Sequence, residues 1–328
     1  MKEELTPVKI YKNFQNGDLN KEDAADLLTS IINGSEDAKV RRESIELLEK
    51  IDYKDATIFK ILENHLVSDE NASVRASAAK IIILNFLDEG SKPIEWSSKH
   101  EKSPLVIKTI IDTLENQKKI NQEAVRESLT NFLAQLAVDL GVVHEEARFF
   151  LDLEAIFSFR KANYEIRPQD YKNFERLQNN INSEPWLIIN NKHVETLNLN
   201  FFNWYFIKEN VEIFDSFANM NYLDLYLNTI RKYTKLNVNS INVPESIGTL
   251  SLLKNLGLSR NHLQIIPKSI KNLNSLKRLD LSHNQFPEIP QILKSLTSLE
   301  YLNMKYNNFR SIPQSMKNFI NSLTKFEL

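Results

Sequence analysis

The sequence predicts two repeat solenoids in tandem: an all-α superhelix of stacked helical hairpins, then a solenoid whose concave face carries a parallel β-sheet of short strands. Three observations predict it. A helical pattern recurs after 34 residues in the N-terminal part, a strand-and-turn pattern recurs every 23 residues near the C-terminal end, and no catalytic or cofactor motif interrupts either. The expected division is 1–141 for the helical array, 142–190 for a helical linker that caps the second array, and 191–328 for the strand-containing solenoid.

In the helical part, Asp37-x-x-Val40-Arg41-x-x-Ser44-x-x-Leu47-Leu48 matches Asn71-x-x-Val74-Arg75-x-x-Ala78-x-x-Ile81-Ile82 and, more loosely, Gln122-x-x-Val125-Arg126-x-x-Leu129-x-x-Phe132-Leu133. Apolar residues at three- and four-residue steps mark amphipathic helices, with Asp37 and Asn71 as N-caps. Second helices are expected over 55–66 and 105–114, the latter opened by Ser103 with Pro104 at the tolerated first position. Residues 92–102, with Trp96 and His100, read as a long connection in which Trp96 packs over a helix end.

The Val-Arg pair after a capping residue resembles the HEAT repeat family, in the short form also found in phycobilin-lyase-like proteins, over residues 35–140. In that family an Asp and an Arg of neighbouring hairpins bridge each other. Here the acidic position reads Asp37, Asn71, Gln122, so amide hydrogen bonds are expected in place of a charged ladder, with Arg41, Arg75 and Arg126 structural.

Residues 142–190 follow neither pattern. Phe149, Phe150, Leu153, Ile156 and Phe157 mark one buried helix, and 168–177 another. A cap is physically required, because the first coil of a solenoid would otherwise expose its core. Val194-x-x-Leu197-x-Leu199 reads as the first strand, followed by aromatics at 201–206 and a helical segment over 211–220. Leu223-x-Leu225 and Leu236-x-Val238 read as further strands, in one repeat or two.

The clearest copies follow. Leu253-x-x-Leu256-x-Leu258-x-x-Asn261-x-Leu263-x-x-Ile266-Pro267-x-x-Ile270-x-x-Leu273 recurs as Leu276, Leu279, Leu281, Asn284, Phe286, Ile289, Pro290, Leu293, Leu296, and again as Leu299, Leu302, Met304, Asn307, Phe309, Ile312, Pro313, Met316, Phe319. Side chains alternate along a strand, so both leucines of Leu-x-Leu enter the coil. The Asn amide can bond backbone groups left free at the turn, which predicts a ladder through Asn284 and Asn307. Proline fixes φ on the return side, where no sheet needs its N–H. This pattern resembles the leucine-rich repeat family in its 23-residue Ile-Pro-x-x-Ile form, as in Ras-suppressor-like and Scribble-like proteins. The resemblance implies protein partners, with small GTPases or phosphatase subunits as candidates.

Residues between the buried leucines form columns on the concave face: Asn255, Arg278, Tyr301; Gly257, Asp280, Asn303; Ser259, Ser282, Lys305; Arg260, His283, Tyr306. Arg and Tyr supply much interface energy. The expected partner-binding set is therefore Arg260, Arg278, Asp280, His283, Tyr301, Asn303, Lys305 and Tyr306. Thr324 to Leu328 reads as the start of another strand, whose open edge through Phe326 would support weak self-association.

Composition limits the chemistry. With no cysteine, thiolate metal sites, disulfides and cysteine nucleophiles are excluded. The six glycines, Gly34 and Gly90 among them, never fall in a phosphate-loop or dinucleotide spacing, and no histidine pairs as H-E-x-x-H. No cofactor, metal or small-molecule substrate is expected. The charged start broken by Pro7, and apolar runs no longer than that at 81–84, predict neither a secretory signal nor a membrane span, hence a cytoplasmic protein. Residues 231–328 hold 14 Lys and Arg against 5 Asp and Glu, a net of +9, which leaves −11 for residues 1–230. The expected function is a non-enzymatic scaffold. The alternative is polyanion binding, to nucleic acid or an acidic membrane, by the basic array. A lyase-like enzyme would need a column of carboxylates in the helical array, and the sequence shows none.

Overall fold

The computed structural model describes residues 5–117, 123–163, 187–198, 243–309 and 311–328, and only the backbone of 156–163 and 198. The features expected at 168–177, 201–206, 211–220, 223–225 and 236–238 lie outside the described residues. The chain divides into two compact units: residues 1–132 with 154–164, and 133–153 with 165–328.

The first unit is an all-α repeat region. Its helices are α1 (Pro7–Asn16), α2 (Lys21–Gly34), α3 (Ala38–Ile51), α4 (Ala56–Ser68), α5 (Ala72–Asn85), α6 (Leu87–His100) and α7 (Pro104–Asn116), followed by residues 123–132 of α8 (Glu123–Leu140). Asp37 accepts from Lys39 N–H and Asn71 from Ser73 N–H, so both N-caps act as their positions predict. Helices α1, α3, α5 and α7 contact one another in one layer, and α2, α4 and α6 in the next. Ile10, Leu28, Ile32, Ile45, Leu62, Leu66, Ile82 and Ile83 fill the space between them.

That packing corrects two expectations. Residues 92–100 belong to α6 rather than to a connection, and α7, expected as a second helix of a hairpin, stacks on α5 in the layer of first helices. The buried face of α6 is Gly90, Pro93, Ile94, Ser97 and Ser98, which is helical spacing carried almost entirely by residues that a search for apolar side chains passes over. Gly90 is required there, since a Cβ would sit 2.2 Å from Ile82 Cγ2 of α5. Trp96 remains half-exposed, stacked on His100 with 4.6 Å between ring centroids.

Arg41 and Arg75 are structural, but through carboxylates, whereas Arg126 is exposed. Arg41 holds Asp69 with two bonds of 2.9 Å, and Arg75 holds Glu101 at 2.7 and 3.0 Å. Each arginine also donates to two carbonyls of the turn before its own helix, Ser35 and Glu36 for Arg41, Asp69 and Glu70 for Arg75. The amide ladder expected from Asn71 is therefore a charged ladder. Its acids lie two residues before the N-caps Asn71 and Ser103, a position the cap-to-arginine comparison does not sample. Burial alone would raise the Asp69 pKa, but bonds from Arg41, Asn71 N–H and His65 outweigh that and hold it below its ordinary value.

In the second unit, α9 (His144–Asn163) contributes Phe149, Phe150, Leu151 and Leu153, all fully buried. A hairpin of β1 (Leu187–Asn190) and β2 (His193–Asn198) follows. Residues 187–190 were expected within a helical linker; they are a strand, turned by Asn191 and Lys192, both at positive φ (50° and 65°). Glu146 of α9, itself buried, accepts from Val194 N–H and bonds His193 Nδ1, both at 3.0 Å, while Asp152 bonds Ser246. Burial raises the Glu146 pKa against the pull of those two donors.

From β2 the sheet runs in sequence order and in parallel through β3 (Asn255–Gly257), β4 (Arg278–Asp280), β5 (Tyr301–Asn303) and β6 (Lys325–Glu327). Leu256, Leu279 and Leu302 align across the strands and are buried, as are Leu258, Leu281 and Met304 beside them. The return side of each coil is a 3-10 helix opened by proline: Glu245–Thr249, Lys268–Asn272, Gln291–Ser295 and Gln314–Met316. The Asn ladder forms. Asn284 accepts from Asn261 and Leu263 N–H and donates to the Leu258 and Leu281 carbonyls, and Asn307 repeats this with Phe286 N–H, Leu281 and Met304.

Candidate protein-binding face

The parallel register sets which side chains meet. Asn255, Arg278, Tyr301 and Lys325 are consecutive Cα partners on β3 to β6, and their side chains must leave the coil because Leu256, Leu279, Leu302 and Phe326 fill the alternate positions. The Arg278 guanidinium lies 4.6 Å from the Tyr301 ring centroid and the Lys325 ammonium 5.3 Å from the same ring. Arg278 and Lys325 are exposed and Tyr301 is half-buried between them. Burial and the negative charges of Glu327 and Asp280 raise the Tyr301 pKa, keeping the phenol neutral at physiological pH. Lys325 and Lys305 both bond Glu327, whose pKa they hold at about 2.

Three of the expected residues form a second cluster. His283 stacks on Tyr306 with centroids 4.2 Å apart, and Arg260 reaches His283 Nε2 at 3.5 Å. These are not strand positions. Arg260, His283 and Tyr306 have φ of 60°, 53° and 59°, left-handed backbone just beyond each strand, where Arg260 N–H bonds the Ser282 carbonyl and His283 N–H the Lys305 carbonyl. That twist swings the side chains to the edge of the sheet, and Tyr306 is 72% exposed.

The remaining expected residues divide. Asp280 accepts from Ser282 N–H at 2.9 Å and Asn303 from Lys305 N–H at 3.1 Å, so both side chains close the strand end. Lys305 is on the face, held by Glu327 at 3.0 Å. Ser259 and Ser282, placed on the concave face by the alternation argument, are instead buried and bonded to each other at 2.9 Å. Alternation stops at the left-handed residue, which is why it fails there. Lys325, Glu327 and His262, which bonds Gln285 at 3.0 Å, were missed. Tyr301 pairs with Lys325, 24 positions on, so a strict 23-residue count aims one residue short of it.

Residues 275–296 and 298–319 match the family model for the Leucine Rich Repeat. These coils are leucine-rich repeats. A solved leucine-rich repeat protein of Leptospira interrogans is similar at 29% identity over 26% of this chain, with a TM-score of 0.24; the match spans 22% of that protein's length. No curated protein matches the chain. Neither match names a catalytic activity.

Among the described residues no helix is long and apolar enough to cross a membrane, and no three His, Asp or Glu side chains gather as a metal site. In the helical unit a groove is lined by Ser98, Lys99, Glu101, Glu127, Asn131 and Phe132. Of its two carboxylates, Glu101 is already held by Arg75.

Proposed function

We propose that this chain is a non-enzymatic scaffold that binds a protein partner on the concave face of its leucine-rich repeats, with the HEAT-like helical array as a second docking surface. The observation that carries the reading is the stack of Arg278 on Tyr301, two anchor-type side chains ordered against each other before any partner arrives. Leucine-rich repeats generally serve protein–protein interaction, which supports the scaffold class. The Ile-Pro-x-x-Ile form makes a small GTPase or a phosphatase subunit the first partners to try.

The test compares two double variants against a purified partner. Arg278→Ala with Tyr301→Ala removes the stack and one positive charge, whereas Lys268→Ala with Lys294→Ala removes two positive charges from the 3-10 helices on the return side. The concave pair should change unfolding free energy by about 1 kcal/mol at most while weakening partner binding by about 2 kcal/mol or more. Equal weakening by both pairs, abolished by salt, would assign binding to net charge instead.

A further inference from the structure

We propose that Arg278, stacked on Tyr301, is a preformed fork for a carboxylate, and that the partner on the concave face presents an acidic segment to it. The inference rests on the reading of that face as the partner site and names the chemistry that would recognise it.

Four observations support it. First, the Tyr301 ring face attracts the guanidinium but offers no lone pair to its five N–H donors, so the contact orders Arg278 without using its hydrogen bonds. Second, the nearest carboxylate on the same strand, Asp280, is turned to Ser282 N–H, and among the described residues Arg278 makes no ion pair. Third, Tyr301 is itself contacted from the next strand by Lys325, which pairs with Glu327, so the ring is packed between two cations. Fourth, the +9 of residues 231–328 would attract an acidic segment from a distance.

The same bonds argue against a nucleic acid. A phosphate backbone needs a row of cations left available, each neutralising one phosphate. On this sheet Lys254 is paired with Glu195, Lys277 with Glu300, and Lys305 and Lys325 with Glu327. Among the described strand residues, Arg278 remains as a fork beside lysines already held by carboxylates, two of them sharing Glu327, which fits a discrete carboxylate better than a polyanion track.

Fluorescence anisotropy of the 328-residue chain with a labelled oligoglutamate peptide, and with an oligothymidylate of matched length, tests this at low ionic strength. Oligoglutamate should bind, and Arg278→Lys should weaken it about tenfold, because a lysine keeps the charge and loses the bidentate fork. Tyr301→Ala should weaken it similarly while Tyr301→Phe, which keeps the ring, should not. Absence of oligoglutamate binding, Arg278→Lys binding like the wild type, or tighter binding of oligothymidylate would each overturn the proposal. If a native partner still depends on the Arg278 and Tyr301 pair while oligoglutamate ignores Arg278→Lys, the carboxylate fork fails and the face survives. Indifference of that partner to the pair removes the reading of the face itself.

Discussion

Replacing Asn284 by Ala should destabilise the leucine-rich repeats by about 3 kcal/mol, because three backbone groups in a dry interior lose the partner it supplies and each buried unpaired group costs about 1 kcal/mol or more. The groups are the N–H of Asn261 and Leu263 and the carbonyl of Leu258, whereas the Leu281 carbonyl keeps its bond from Asn307. Water cannot substitute readily, since Leu258, Leu263 and Leu281 around them are buried. Urea unfolding followed by far-ultraviolet circular dichroism should show an early transition that the helical unit does not share. Asn284→Asp should rescue part of the loss, since it retains acceptors for the two N–H groups. If Asn284→Ala unfolds at the wild-type midpoint, the ladder does not hold the coils together.

The second large effect is expected in the helical ladder. Asp69→Ala removes the acceptor of two Arg41 bonds, of His65 and of Asn71 N–H, and leaves a guanidinium that is only 14% exposed without its counter-charge. Breaking one partner out of a buried pair typically costs about 3–5 kcal/mol. The pH dependence follows from the direction of the Asp69 shift. Its folded pKa lies below its ordinary 3.8, so its contribution is complete above that value and is lost as pH falls through the folded pKa. The acid limb of a stability–pH curve should therefore flatten in Asp69→Asn, which cannot titrate. An acid limb identical to the wild type would show that the ladder does not couple to folding.

These two devices were not equally legible. The Asn ladder could be read because each coil of a leucine-rich repeat imposes the same residue type at the same place, so Leu, Asn and Ile-Pro repeat in register. The charged ladder could not. Arg41 and Arg75 were visible through the helical repeat, but Asp69 and Glu101 sit in turns, where the backbone path rather than apolar periodicity decides what they reach. Helix α6 was hidden for a related reason, as Gly90, Pro93, Ser97 and Ser98 make a packing face from residues usually read as breakers or loop formers.

The candidate face was legible in part. Period-two alternation placed Arg278 and Tyr301 outside the coil, and the structure stacks them. It also placed Ser259 and Ser282 outside, where the structure buries them, because the backbone enters the left-handed region one residue later at Arg260 and His283. Nothing in Arg or Tyr as residue types announces positive φ; the coil imposes it. A signal was available for the hairpin of β1 and β2, where Asn191 and Lys192 stand as a two-residue turn between Leu187-Ile188-Ile189 and Val194.

Hydrogen exchange of the chain with and without its bound protein partner tests the central claim most directly. The account predicts new protection concentrated on the strands at 255–257, 278–280 and 301–303 and on the adjoining residues 260, 283 and 306, with the 3-10 helices at 268–272 and 291–295 unchanged. Protection confined to those 3-10 helices or to the helical unit, with the strands unaltered, would contradict it.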